Sequence, residues 1–200
     1  VIGGALLFDG VDDVVTVPDG DWLNPSFVTV SFWLRAEAAP TNVAFLSKKD
    51  PGSASGYEVG YTNGQLRFVV GATSEKALLA TCTLTNGGWY HVAGVYGGAT
   101  QSLYLNGVRV ALTNHSLGTS MGEMGVSTNA LTLGAAGPAA ARPFAGMLDD
   151  VRIYPFEMSS NAVVAIWQVG QDVDGDGLGA VMEFEVGGSP EEADSDGDGL

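Results

Sequence analysis

Apolar and polar positions alternate through most of residues 1–157, and the alternation is interrupted at Gly, Asn, Asp and Pro. Val28-Thr-Val30-Ser-Phe32-Trp-Leu34 keeps a strict two-residue period, which predicts a half-buried strand. The same period predicts strands at Ala5–Phe8, Val14–Val17, Val43–Ser47, Tyr57–Tyr61, Gln65–Val70, Leu78–Leu84, Trp89–Tyr96, Ser102–Leu105, Val108–Leu112, Leu131–Leu133 and Gly146–Tyr154. Asn63-Gly64 and Asn106-Gly107 each separate two such runs. Both residue types accept positive φ, so each pair predicts a tight hairpin. Many short strands at this spacing predict an all-β fold of two packed antiparallel sheets. One helix is predicted late: Ser159-Ser160-Asn161 offer caps, Val163, Val164, Ile166 and Trp167 recur at helical spacing, and Gly170 ends it. It is expected across one end of the sandwich, with residues 137–143 as a loop.

Composition adds an appendage to this picture. A chain of 200 residues with 46% hydrophobic content can build one sizeable core, and 29 glycines with 16% charged residues suit a turn-rich β protein. The net charge of −15 is uneven: residues 1–170 carry 13 acids and 8 bases, whereas residues 171–200 carry 10 acids and no base. The chain therefore divides into a sandwich over 1–168 and an acidic tail over 169–200. Such a tail repels nucleic acid and itself unless cations neutralise it. Cys82 is the single cysteine, which excludes an internal disulfide. No apolar run is long enough to cross a bilayer, so no membrane insertion is expected of this chain. There is no Met start and no signal-peptide core at Val1, and the chain ends inside a repeated motif. It reads as a piece of a longer protein whose targeting signal lies outside it.

The tail holds the most specific chemistry. Asp172-Val-Asp174-Gly-Asp176-Gly-Leu178, with five residues between Gly177 and Glu183, has the charged skeleton of an oxygen-ligand Ca²⁺ loop. Alternate carboxylates point into one turn, Gly177 allows the bend, and Glu183 closes the cage. The predicted metal residues are Asp172, Asp174, Asp176, Leu178 and Glu183. A second start, Asp194-Ser-Asp196-Gly-Asp198-Gly-Leu200, begins 22 residues later and lacks its closing Glu. Zinc would require His or Cys, which this segment does not have.

The strands offer a weaker candidate for ligand binding. Trp33 shares a face with Thr29, Ser31 and Arg35, opposite Val30, Phe32 and Leu34. An aromatic among polar neighbours can stack on a sugar ring, with Tyr57, Tyr61 and Arg67 lining the same sheet. The alternative is that Trp33 is covered by a loop or fills a second core layer. Trp22, Trp89 and Trp167 read as packing residues, His91 as a packed core histidine, and His115 as a loop residue without an evident partner. Cys82 reads as a small buried hydrophobe.

Several segments in order resemble the laminin-G-like jelly rolls of the concanavalin A-like lectin/glucanase superfamily. They are Ala5-Leu-Leu-Phe-Asp-Gly-Val-Asp-Asp13, Val15-Thr-Val-Pro18, Val28–Leu34, Gly88-Trp-Tyr-His-Val-Ala93, Leu103-Tyr-Leu-Asn-Gly107, and Phe144-Ala-Gly-Met-Leu-Asp-Asp-Val-Arg-Ile-Tyr154. The resemblance spans residues 4–168 and implies a two-sheet antiparallel jelly-roll sandwich whose terminal strands lie side by side. On that arrangement Asp9 and Asp149 could share a structural Ca²⁺, with backbone N–H bonds or an Arg such as Arg152 as the alternative partners. Alternation places Asp149 on the buried face of Met147, Val151 and Ile153. Glucanases of this fold carry Glu-x-Asp-x-x-Glu on one strand, and the chain has no such motif, so no enzyme is expected. The tail is similar to thrombospondin-type-3-like repeats of bacterial secreted proteins, with Ala180 where an acidic residue is usual. Together these imply a non-catalytic, calcium-binding recognition or adhesion module of a secreted or cell-surface protein, with a glycan or a surface protein as partner. The alternatives are a carbohydrate-binding accessory domain of a polysaccharide-degrading enzyme, or a purely structural spacer.

Overall fold

A computed structural model describes residues 4–49, 55–71, 74–114 and 122–170. Its architecture is the jelly-roll sandwich, two antiparallel sheets of six strands. The first sheet runs β1 (Leu6–Asp9), β12 (Ala145–Tyr154), β3 (Val28–Ala36), β8 (Trp89–Tyr96), β9 (Thr100–Leu105), β10 (Val108–Asn114). The second runs β2 (Val15–Val17), β11 (Leu131–Leu133), β4 (Asn42–Ser47), β5 (Gly56–Thr62), β6 (Gln65–Gly71), β7 (Glu75–Thr81). The first and last strands pair, as the resemblance implied.

Local chemistry accounts for the turns. Asn63 and Asn106 both take positive φ (49° and 50°), as do Gly64 and Gly107 after them, the twist that two-residue hairpins require. Strand β7 begins three residues earlier than alternation suggested, since Leu78 and Ala80 face Phe68 and Leu66 while Leu79 points outward.

The core lies between the sheets. Phe32 of β3 meets Phe45 of β4 with centroids 5.9 Å apart, and Phe45 meets Phe144 edge-on at 5.0 Å. Val30, Leu34, Val92 and Leu103 fill the layer from one side, and Val59, Leu66, Phe68 and Val70 from the other. Gly94 gives the Phe68 ring its space, because a methyl there would stand 2.9 Å from the ring.

The helix α1 (Ser160–Val169) is capped by Ser159, whose hydroxyl accepts from the Ala162 N–H. It covers the outward face of the first sheet rather than one end of the sandwich. Met158, Val163 and Ile166 pack on Ala93, Val95 and Tyr104, forming a second, smaller core. Thr29 fastens this layer: its hydroxyl donates to the Phe156 carbonyl and accepts from the Met158 N–H. Strand β3 is therefore buried on both faces.

Candidate functional site

Trp33 does project from the face of Thr29 and Ser31, but that face belongs to the second core. The indole is 6% exposed, lies 5.3 Å from the His91 ring, and abuts Gly170 at the end of α1. This is the alternative of a second core layer, in which the Thr29 and Ser31 hydroxyls are both spent on internal bonds. Ser31 Oγ and His91 Nε2 are 2.9 Å apart, a spacing suited to a nucleophile and base. The pair is enclosed, however, and His91 Nδ1 is buried with no hydrogen-bond partner among the described residues. Burial, aided by the Arg152 charge, pushes the His91 pKa down to about 4, so the ring is neutral at ordinary pH. It packs as a core histidine.

Tyr57, Tyr61 and Arg67 are not on the sheet of Trp33; all three belong to the second sheet. Tyr57 and Tyr61 turn inward into the main core, and only Arg67 faces out. The four residues do not form one surface.

Asp9 and Asp149 do not share a site either. Asp9 pairs with Ala145 and Leu6 with Leu148, so Asp149 lies four positions along the ladder from the partner of Asp9, roughly 13 Å away at strand rise. A bulge between Asp149 and Arg152, where Asp150 takes φ 49°, also shifts the alternation. Asp149 stays on the outward face opposite Trp33, while Val151 and Ile153 pack on the main core. Asp149 accepts from the Asp150 N–H at 2.7 Å, and it is Asp150 that pairs with Arg152, at 2.6 Å. Asp9, Asp12 and Asp13 do converge, with carboxylate oxygens within 4.8 Å. They lie exposed in a turn closed by its own N–H groups: Asp13 accepts from Asp9 and Asp9 from Val11.

The outward face of the second sheet carries the arrangement that alternation did not expose. Glu58, with a side chain 3% exposed, gives one oxygen to Arg67 (2.6 Å) and the other to Arg142 (2.6 Å) and Ser47 (3.0 Å). Arg67 continues to Glu75 at 2.9 Å, and Glu75 to Lys49. The result is a row of alternating charge, Arg142–Glu58–Arg67–Glu75–Lys49, whose members other than Glu58 keep partial contact with solvent. Burial raises the Glu58 carboxyl, but Arg142, Arg67 and Ser47 outweigh it and hold the group below its usual value. Glu58 was visible only as an outward polar position between Tyr57 and Val59. Its partner Arg142 is 84 residues away and enters from the loop before β12.

Trp22 was expected to pack and is instead 65% exposed, on the 3-10 turn Asp21–Leu23, with its indole folded over Gly20. The turn is tied through Asp19 to Lys48, just past the end of β4, and through Asn24 to Ser127 in the segment before β11. Trp89 and Trp167 are half-buried, and Cys82 is half-buried against the core. The expected Ca²⁺ ligands Asp172, Asp174, Asp176, Leu178, Glu183, Asp194, Asp196 and Asp198, and also His115, lie outside the described residues.

Solved structures share this arrangement of sheets. One is domain 4 of AbnA, an extracellular GH43 arabinanase of Geobacillus stearothermophilus in complex with arabinotriose; it aligns with TM-score 0.66 and 20% identity, over 84% of this chain and 78% of that one. The CBM40 of the Ruminococcus gnavus IT-sialidase, bound to α2,3-sialyllactose, aligns with TM-score 0.60 and 13% identity, over 77% and 96%. The binding domain of botulinum neurotoxin DC, in complex with SialylT, aligns with TM-score 0.64 and 15% identity, over 84% and 42%. At these identities the likeness concerns the fold. No curated protein matches the chain's sequence. Residues 9–164 match the family model Laminin_G_3, and with the strand order above this places the chain in the concanavalin A-like lectin/glucanase superfamily.

Proposed function

We propose that the domain is a non-catalytic carbohydrate-recognition module of a larger extracellular protein. The observation that carries this reading is the charge row on the outward face of the second sheet. Glu58 fixes Arg67 and Arg142 on or beside rigid strands, Arg67 in turn fixes Glu75, and the three present convergent donors and acceptors of the kind sugar hydroxyls need. Trp22, exposed on a turn tied to Lys48 just past β4, supplies a flat apolar surface for a sugar ring. The neighbours in complex with arabinotriose and sialyllactose support a glycan over a protein partner. The enclosure of Ser31 and His91 supports a role without catalysis. A glycan array of neutral and acidic oligosaccharides tests the reading. Reproducible binding is expected, at least tenfold weaker in Arg67→Ala or Trp22→Ala and retained in Trp33→Phe; an array without a binder refutes it.

For the tail, the proposal is a thrombospondin-type-3-like Ca²⁺ loop formed by Asp172, Asp174, Asp176, Leu178 and Glu183, with Asp194, Asp196 and Asp198 opening a second. Four carboxylates within twelve residues repel one another strongly unless a divalent cation offsets them. Affinities of about 10⁻⁴–10⁻³ M are usual for extracellular modules of this chemistry. Calorimetry with Ca²⁺ is expected to give heat that Asp174→Ala or Glu183→Ala largely removes; unchanged heat excludes the loop.

A further inference from the structure

Lys48 leaves the end of β4 with its side chain entirely buried, an uncommon place for an ammonium. Its three N–H donors are matched one to one. Asp19 Oδ1 accepts at 2.7 Å, the Ser127 carbonyl at 2.6 Å, and the Asn129 carbonyl takes the third. One carboxylate and two backbone carbonyls are the hard, oxygen-only donor set that calcium loops use.

The cage is also fixed by bonds that do not involve the ammonium. The Asn24 carboxamide donates to Asp19 at 3.0 Å and accepts from the Ser127 N–H at 3.0 Å. The Asn129 amide group donates to the Lys49 carbonyl at 2.8 Å, and the Gly56 N–H donates to the Gly125 carbonyl at 3.1 Å. Gly56 packs on the Lys48 carbonyl and on Ser127 with no room for a side chain, and its φ of 89° suits glycine. Three parts of the chain that are distant in sequence, 19–24, Lys48 with Gly56, and 125–129, therefore converge on one positive charge. The Lys48 bond holds the Asp19 carboxyl below the ordinary carboxylate range, as a resident cation would.

We infer that the Lys48 ammonium is the built-in cation of an oxygen cage of divalent-metal type. The loop end of the sandwich, with the Trp22 turn, is thereby held without metal, and loss of the ammonium leaves a cation site that Ca²⁺ fills. The inference concerns the sandwich alone and does not depend on glycan binding. A cage supplying one negative charge and two neutral carbonyl oxygens, with water to complete the shell, suits a hard cation and disfavours soft ones.

Thermal unfolding of the full chain, in chelator and in millimolar CaCl₂, tests it. Lys48→Ala is expected to melt roughly 8–15 °C lower than the parent in chelator, because it empties a fully buried side-chain site and leaves two carbonyls without their donor, while water takes over at the exposed Asp19 carboxylate. CaCl₂ is expected to recover at least half of that deficit, beyond any shift the parent shows through its tail. Adding Asp19→Asn to Lys48→Ala removes the recovery. Propylammonium, the fragment deleted by the substitution, also restores Lys48→Ala. Lys48→Met repeats the comparison with the aliphatic stem retained, in case the alanine variant fails to fold in chelator. If Ca²⁺ shifts both variants no more than the parent, the inference is overturned.

Discussion

Trp33→Ala lowers the stability of the sandwich by about 3–5 kcal/mol, the cost of emptying a large aromatic site in a packed layer. The indole is nearly enclosed between the His91 ring and the end of α1, so its removal leaves a cavity that neither the sheet nor the helix can close. For a domain of this size, that corresponds to a melting temperature roughly 6–20 °C lower. Trp22→Ala, at an exposed site, changes stability by less than about 1 kcal/mol. Urea unfolding of the two variants separates structural tryptophan from surface tryptophan. A Trp33→Ala change under about 1 kcal/mol contradicts the second core.

Mild acid produces the second large effect. His91 titrates near 6.5 when unfolded but at about 4 in the fold. Between those values the unfolded chain binds more protons than the native one, so stability falls as pH falls. The loss from this group approaches about 3 kcal/mol by pH 4. Glu58 acts in the same direction at lower pH: its carboxyl is held below 4.5, and the stability it contributes disappears as pH drops through the folded value. Urea unfolding across pH 6.5 to 4 should show this decline, and His91→Gln should flatten the part above the Glu58 range. A parent with constant stability over that interval is incompatible with a buried neutral His91.

The strands were legible because one face of each is apolar. Val28–Leu34 and Trp89–Tyr96 carry a two-residue period, and the Asn-Gly pairs name their own turns. The helix was legible from its cap and spacing, but its resting place was not. Covering the first sheet depends on Ala93, Val95 and Tyr104, whose outward positions are apolar on strands already assigned a core face. The bulge at Asp149–Arg152 has no local signature, so the face of Asp149 could not be read by counting. The charge row escaped for a related reason: Glu58 and Arg142 meet only after the sandwich closes. Alternation reports which face a side chain takes and is silent about what arrives to cover it.

The strand order also governs when this domain can assemble during synthesis. In the first sheet, β3 lies between β8 and β12: Phe32 pairs with Val92, 60 positions later, and Leu34 with Leu148, 114 positions later. The meander β4 to β7 closes over short connections and can form while the chain is still emerging. By contrast, β3 has both faces built for burial and no neighbour until Trp89–Tyr96 has left the ribosome, and its other edge stays open until Tyr154 follows. A nascent chain stalled before that point exposes a strand built for burial on both faces.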